Sequence, residues 1–102
     1  MDIDLGSTVV AAEGHFSSRV AGETVILSER TGVYFGLDPI ASRIWGLVEG
    51  PVTVRTIRDV LMGEFDVDMR RCEDDVLRLL RDLVHHGLLQ VLEASESGDE
   101  AR

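Results

Sequence analysis

The order of patterned segments predicts an α+β fold of the winged helix-turn-helix type. It comprises a three-stranded antiparallel N-terminal sheet followed by three helices and a short C-terminal strand. Three observations lead there. Three strand-like runs come first, separated by the turn residues Ala21-Gly22 and Glu29-Arg-Thr-Gly32. Three helical patterns follow, the first two short and closely joined, as in a helix-turn-helix. A last apolar run, Leu88-Leu-Gln-Val-Leu92, closes the pattern. With 102 residues, 44% of them hydrophobic, the chain can build one small domain around one modest core. A separate cofactor domain has no room.

Residues 1–14 read as an N-terminal segment of flexible character, in which Ser7 to Ala12 could form a loose extra strand. The domain proper is expected over 15–92. His15 to Val20 and Glu23 to Ser28 make two strands across a tight Ala21-Gly22 turn. Val33 to Leu37 makes the third, after Gly32 supplies the positive φ that its turn needs. Asp38 is a good N-cap, and Pro39 suits the first helical position because its missing N–H is not needed there. Ile40, Ile44, Leu47 and Val48 then share one face, with Trp45 beside it, until Gly50-Pro51 stops the helix. Thr53 caps the second helix, whose buried stripe is Val54, Ile57, Val60 and Leu61, ending near Phe65. Asp68 caps the third, Met69 to His86, which ends at Gly87, a natural left-handed cap.

Charge and cysteine usage narrow the function classes. The formal charge is −9. The tail from Glu93 to Arg102 has four acids, one base and no apolar period, so it is expected to be disordered. Removing that net −3 leaves −6, and an acidic domain is a poor ligand for nucleic acid phosphates. Arg70, Arg71, Arg78 and Arg81 on the third helix are interleaved with Glu73, Asp74, Asp75 and Asp82, as on a solvated, salt-bridged face. Cys72 has no partner for an internal disulfide, and a reducing, bacterial-type cytosol fits it. The opening residues have no charged signal segment, and Val9-Val-Ala-Ala12 is too short for a membrane span, so no membrane partner is expected.

No catalytic, cofactor or metal site is expected. Cys72 stands beside Glu73, Asp74 and Asp75, which would raise its pKa, so it reads as a small apolar residue. His85 and His86 point in different directions on a helix end, where they favourably face exposed carbonyls; with one cysteine and a distant His15, zinc does not fit. Asp66, Asp68, Asp74 and Asp75 lack the spacing and central glycine of a calcium loop and read as caps and first-turn acids.

The signal that points to function is an unpartnered strand edge beside an amphipathic helix, a place where an extended peptide can add. On Val33-Tyr-Phe-Gly-Leu37, alternation puts Val33, Phe35 and Leu37 on one face and Tyr34 and Gly36 on the other. Gly36 either admits the close approach of a second backbone or marks a bend. The third helix carries two apolar stripes, Leu77, Leu80, Val84 and Leu88, and Cys72, Val76, Leu79 and Leu83. Helical period leaves two readings open: both stripes buried, or one lining a groove beside the sheet edge. The edge favours the groove. Such an edge would exchange four or five backbone hydrogen bonds with a peptide, each worth about 0.5–1.5 kcal/mol net.

From about His15 to Val91 the chain resembles the PqqD-like proteins, also called RiPP recognition elements. The resemblance rests on Val25-Ile-Leu with Thr31-Gly-Val-Tyr-Phe-Gly-Leu-Asp-Pro39, on Ala41-Ser-Arg-Ile-Trp-Gly-Leu-Val-Glu-Gly50, and on Thr53-Val with Ile57. Phe65-Asp-Val-Asp68, Asp75-Val and Leu83-Val-His-His-Gly-Leu-Leu89 complete it. It implies a non-catalytic, cytoplasmic winged-helix domain that binds the leader of a ribosomally made precursor peptide. In that family the leader adds to the third strand and packs against the third helix, and the domain presents the precursor to a processing enzyme. Carried onto this chain, the binding edge is Val33, Tyr34, Phe35, Gly36 and Leu37. Helical spacing then places the groove wall at Cys72, Val76, Leu79 and Leu83, with Asp75 and Arg78 on its rim. Ser28-Glu-Arg-Thr-Gly32 before a Tyr-aromatic pair is similar to stand-alone lasso-peptide members, whose partner is a leader peptidase. The alternatives are a PqqD-type chaperone serving a radical SAM enzyme and a small winged-helix transcriptional regulator. A homodimer formed through the open edge is a further reading.

Overall fold

The computed structural model describes residues 3–92. Among these the elements in chain order are β1 (Thr8–Ala11), β2 (His15–Val20), β3 (Glu23–Ser28), β4 (Tyr34–Leu37), α1 (Pro39–Leu47), β5 (Val52–Thr53), α2 (Val54–Glu64), α3 (Met69–His85) and β6 (Leu89–Leu92). The mixed α+β class, the three-stranded antiparallel meander, the three helices and the C-terminal strand agree with the sequence reading. The acidic tail lies outside the described residues.

The meander runs β2-β3-β4, all antiparallel. Ala21 and Gly22 both have positive φ, 54° and 83°, between the paired residues Val20 and Glu23. Both signs suit a two-residue turn whose twist matches the strands it joins. Gly32, at φ 73°, turns the chain from β3 into β4, and its N–H donates to Ser28 O at 2.8 Å. Thr24, Ile26 and Ser28 face inward and are buried, whereas Glu23 and Val25 face outward.

The N-terminal segment corrects one expectation. Its extra strand is real, and it sits at the centre of a second sheet, ordered β5-β1-β6. Thr8 to Ala11 pair antiparallel with Leu92 to Leu89 on one side, and Thr8 and Val9 pair with Thr53 and Val52 on the other. Ile3 and Val9 are buried in the common core, so this segment is part of the domain rather than a flexible lead-in. The two-residue β5 escaped sequence reading because it is hidden between Gly50-Pro51 and a helix cap and is too short to show any period.

Each helix begins where a side-chain oxygen replaces a missing backbone acceptor. Asp38 accepts from Ala41 N at 2.8 Å, Thr53 from Thr56 N at 3.1 Å and Asp68 from Arg71 N at 3.1 Å. Each cap contributes about 1 kcal/mol. α3 ends in a Schellman motif: Leu88 N–H donates to Leu83 O, Gly87 N–H donates to Val84 O, and Gly87 takes φ 76°. α3 packs on α2, with Ile57, Leu61, Val76 and Leu80 in the core. Each such side chain adds about 1.5–3 kcal/mol on burial. An Arg43–Glu64 fork joins α1 to the end of α2, with Nε to Oε1 at 2.9 Å and Nη2 to Oε2 at 2.8 Å.

The burial of α3 mixes the two predicted stripes. Cys72, Val76, Leu80 and Leu83 are the buried line, and Leu77, Leu79 and Val84 flank it half-buried. On α1 and its C-cap, Ile44, Trp45 and Val48 are buried, but Ile40 is 41% exposed. It occupies the first turn and borders an open cleft, so it does not belong to the buried face expected of it.

Candidate functional site

β4 forms one edge of the meander, bonded on one side only, to β3. The register fixes which of its backbone groups point outward. Ser28 N–H donates to Val33 O at 3.0 Å, so those two residues are a hydrogen-bonded pair. Because pairs alternate along an antiparallel ladder, Phe35 and Leu37 also turn their polar groups to β3. Tyr34 and Gly36 therefore aim their N–H and C=O groups at the open edge. That makes four groups available to an added strand, the lower end of the sequence expectation. Val33 lies just outside the strand. Leu37 is buried in the core, Phe35 is half-buried, and Tyr34 is 68% exposed. A Cβ built on Gly36 would meet nothing within 4 Å, so the glycine leaves open space at the edge instead of admitting a close contact within this fold.

The chain passes from Leu37 directly onto the rim of a cleft of about 730 Å³. Asp38, Ile40 and Ala41 bound it on the α1 side and Phe65 to Asp68 at the α2–α3 connector. Arg71, Cys72, Asp75, Val76, Arg78 and Leu79 form the α3 wall. The size suits a few side chains of an extended peptide. Ile40, Val67, Leu79 and Phe65 give the cleft its apolar surface. The rim is charged: Arg78 donates to Asp75 at 3.1 Å, and Arg71 approaches the same carboxylate at 3.9 Å. These exposed pairs contribute no more than about 1 kcal/mol each, and an incoming peptide can displace them. Burial, then the neighbouring Asp75 and Glu73 carboxylates, push the Cys72 thiol above its ordinary value, so it stays protonated and weakly nucleophilic at neutral pH.

The far end of α3 touches β4. The His86 ring lies 4.8 Å from that of Phe35, and His85 lies 5.2 Å from His86. His15 packs edge-on against Trp45 instead, 5.0 Å between centroids. His15 is thus apart from the His85–His86 pair, and among the described residues no group of three or more potential ligands is placed to hold a metal.

This arrangement has counterparts. The family described as coenzyme PQQ synthesis protein D (PqqD) matches residues 23–89, from β3 through the first residue of β6. The chain belongs to the PqqD family. The solved structure of TbiB1 in complex with the TbiA(beta) leader peptide is similar at 36% identity and a TM-score of 0.74. That match covers 79% of this chain and 94% of the other. A lasso peptide synthetase B1 complexed with its leader peptide shares the fold at 20% identity and a TM-score of 0.72, over 80% of this chain and 96% of that one. No protein of curated function matches the chain in sequence.

Of the residues singled out from sequence in this PqqD-family chain, Cys72, Asp75, Val76, Arg78 and Leu79 all line the cleft. Leu83 shares their helix but lies in the core and does not border it. Val33 to Leu37 form the neighbouring edge and lead into the cleft without lining it. Sequence reading missed Ile40, Val67 and Arg71. Val67, an isolated apolar residue between two aspartates in a connector, was a usable signal. Ile40 was not, because its spacing to Ile44 is that of a core residue.

Proposed function

We propose that this chain is a non-catalytic leader-peptide-binding protein, a RiPP recognition element with winged-helix architecture. The leader of a ribosomally made precursor adds as a strand to β4 and sets side chains into the cleft along α3. The observation that carries this reading is the open β4 edge, with outward groups at Tyr34 and Gly36 beside the cleft, in a chain 36% identical to the leader-bound TbiB1. Four backbone bonds at about 1 kcal/mol each do not offset the cost of ordering a flexible peptide, so the cleft must supply the remaining affinity and the sequence preference. The bound precursor is then delivered in the cytosol to a processing enzyme, the leader peptidase of lasso-peptide biosynthesis. The Ser28-Glu-Arg-Thr-Gly32 turn before Tyr34-Phe35, similar to stand-alone lasso-peptide members, favours that partner over a radical SAM enzyme. A regulator that binds nucleic acid has less support, because the chain carries a formal charge of −9.

The test is a titration with the synthetic leader of the precursor encoded beside this chain, followed by amide NMR. Saturable binding is expected, with shifts concentrated at 33–37 and along 72–79. Shifts confined to the other sheet would move the site, and no binding with or without the processing enzyme would overturn the reading.

A further inference from the structure

The outer face of the meander is unusually apolar for a surface. Register places Phe16, Leu27 and Tyr34 in one row across β2, β3 and β4, and the next rows add Val25 and Val20. Phe16 and Val20 are each 62% exposed. Glu23 is the one charged side chain among the outward-facing strand residues of this sheet. Together these apolar groups offer on the order of 500 Å² to solvent, the size at which a surface patch on a monomer usually has a use.

We propose that this face docks the enzyme that processes the bound leader, a protein partner presenting an uncharged apolar surface; this rests on the leader-binding reading above. Three observations select that occupant. A second copy stacked face to face would bury roughly 1,000 Å² in total, below the usual range for a stable protein pair. A lipid surface is disfavoured because the chain carries −9 and anionic headgroups would repel it. The face is also continuous with the leader edge, because Tyr34 belongs to both. A strand added to β4 prolongs the Phe16–Leu27–Tyr34 row by one more outward side chain. The enlarged face then reaches the area a specific interface needs. The partner therefore reads the sheet and the leader together, and engages the loaded protein in preference to the empty one.

The test uses the full chain, the fluorescein-labelled leader of the neighbouring precursor and the processing enzyme encoded with them. Phe16→Ser and Val20→Ser lie on β2, away from the leader edge. Both should leave leader affinity within about twofold and melting behaviour nearly unchanged, since exposed positions contribute little. Enzyme capture by the leader-loaded Phe16→Ser variant should fall at least about tenfold, as for a large aromatic anchor that an interface buries. Unchanged enzyme capture with leader binding intact would overturn this docking face alone. So would a concentration-dependent dimer of the wild type that Phe16→Ser abolishes, or wild-type binding to phosphatidylglycerol vesicles that it abolishes. Absence of leader binding in the wild type would instead remove the proposed function, and this inference with it.

Discussion

The two edges of the meander are built from the same sheet and are chemically opposite. β2 presents Ser17 and Arg19 at its open side. The Glu29 N–H to Gly14 O bond sets the pairing phase so that those two residues, and not Ser18, aim their backbone outward. A charged residue on an edge strand is a usual protection against unwanted strand addition. β4 presents Tyr34 and Gly36 instead, without charge, and leads to a cleft with apolar walls and a charged rim. An edge becomes a binding site when what lies beside it can add side-chain contacts, because backbone pairing alone is too weak and too unselective.

The largest effect should come from attacking one edge and sparing the other. Gly36→Pro removes an outward N–H and places a ring in the path of an added strand, while the β3 ladder keeps its bonds at Phe35 and Leu37. We expect leader affinity to fall roughly thirtyfold or more, from the lost bond and the steric conflict together. Ser17→Pro makes the same kind of change on β2 and should alter affinity by less than about threefold, since nothing is paired there. Titration of both variants with the labelled leader decides the matter. Equal losses would mean that either edge, or simply the stability of the sheet, governs binding.

Next in size is the cleft. Leu79→Asp puts a carboxylate beside Asp75 on an apolar wall, at a position only half-buried, so the fold should survive. Leader affinity is expected to drop about tenfold, the scale of losing one buried apolar contact. Binding unchanged by this variant would separate the edge from the cleft and leave selectivity unexplained. A milder probe is chemical. With its thiol protonated and 6% exposed, Cys72 should react slowly with iodoacetamide at pH 8, and saturating leader should slow it several-fold further by covering the cleft. Labelling indifferent to leader would place the peptide elsewhere.

Much of this was legible in the sequence, for identifiable reasons. The meander, the three caps and the Gly87 stop are local chemistry: a turn glycine, an aspartate or threonine before an apolar period, a left-handed glycine after it. The β4 edge followed from the same logic. What could not be read was long-range. β1 joins the core because Leu89 to Leu92, some eighty residues away, returns to pair with it. α3 buries Leu80 with Cys72, Val76 and Leu83 and leaves Leu79 at the cleft because of where α2 and α1 lie, which helical period does not encode. Ile40 likewise has the spacing of a core residue and the location of a rim residue.

The smallest expected effect tests whether edge affinity is a property of the edge itself. Ala21 holds φ 54°, a left-handed conformation that costs an L residue about 1–2 kcal/mol. Asparagine tolerates that region better, and Asn-Gly is the preferred pair for this turn, so Ala21→Asn should stabilise the domain by about 0.5–1 kcal/mol. That corresponds to a rise in Tm of about 2–8 °C for a domain of this size. The turn joins β2 to β3, at the end of the sheet away from Gly32, and contributes no group to the β4 edge. Leader affinity should therefore stay the same while Tm rises. If affinity improves in step with Tm, the free meander is incompletely ordered and the leader spends part of its binding energy on ordering it. The contrast between the edges would then lie in their stability, and the groups they expose would matter less.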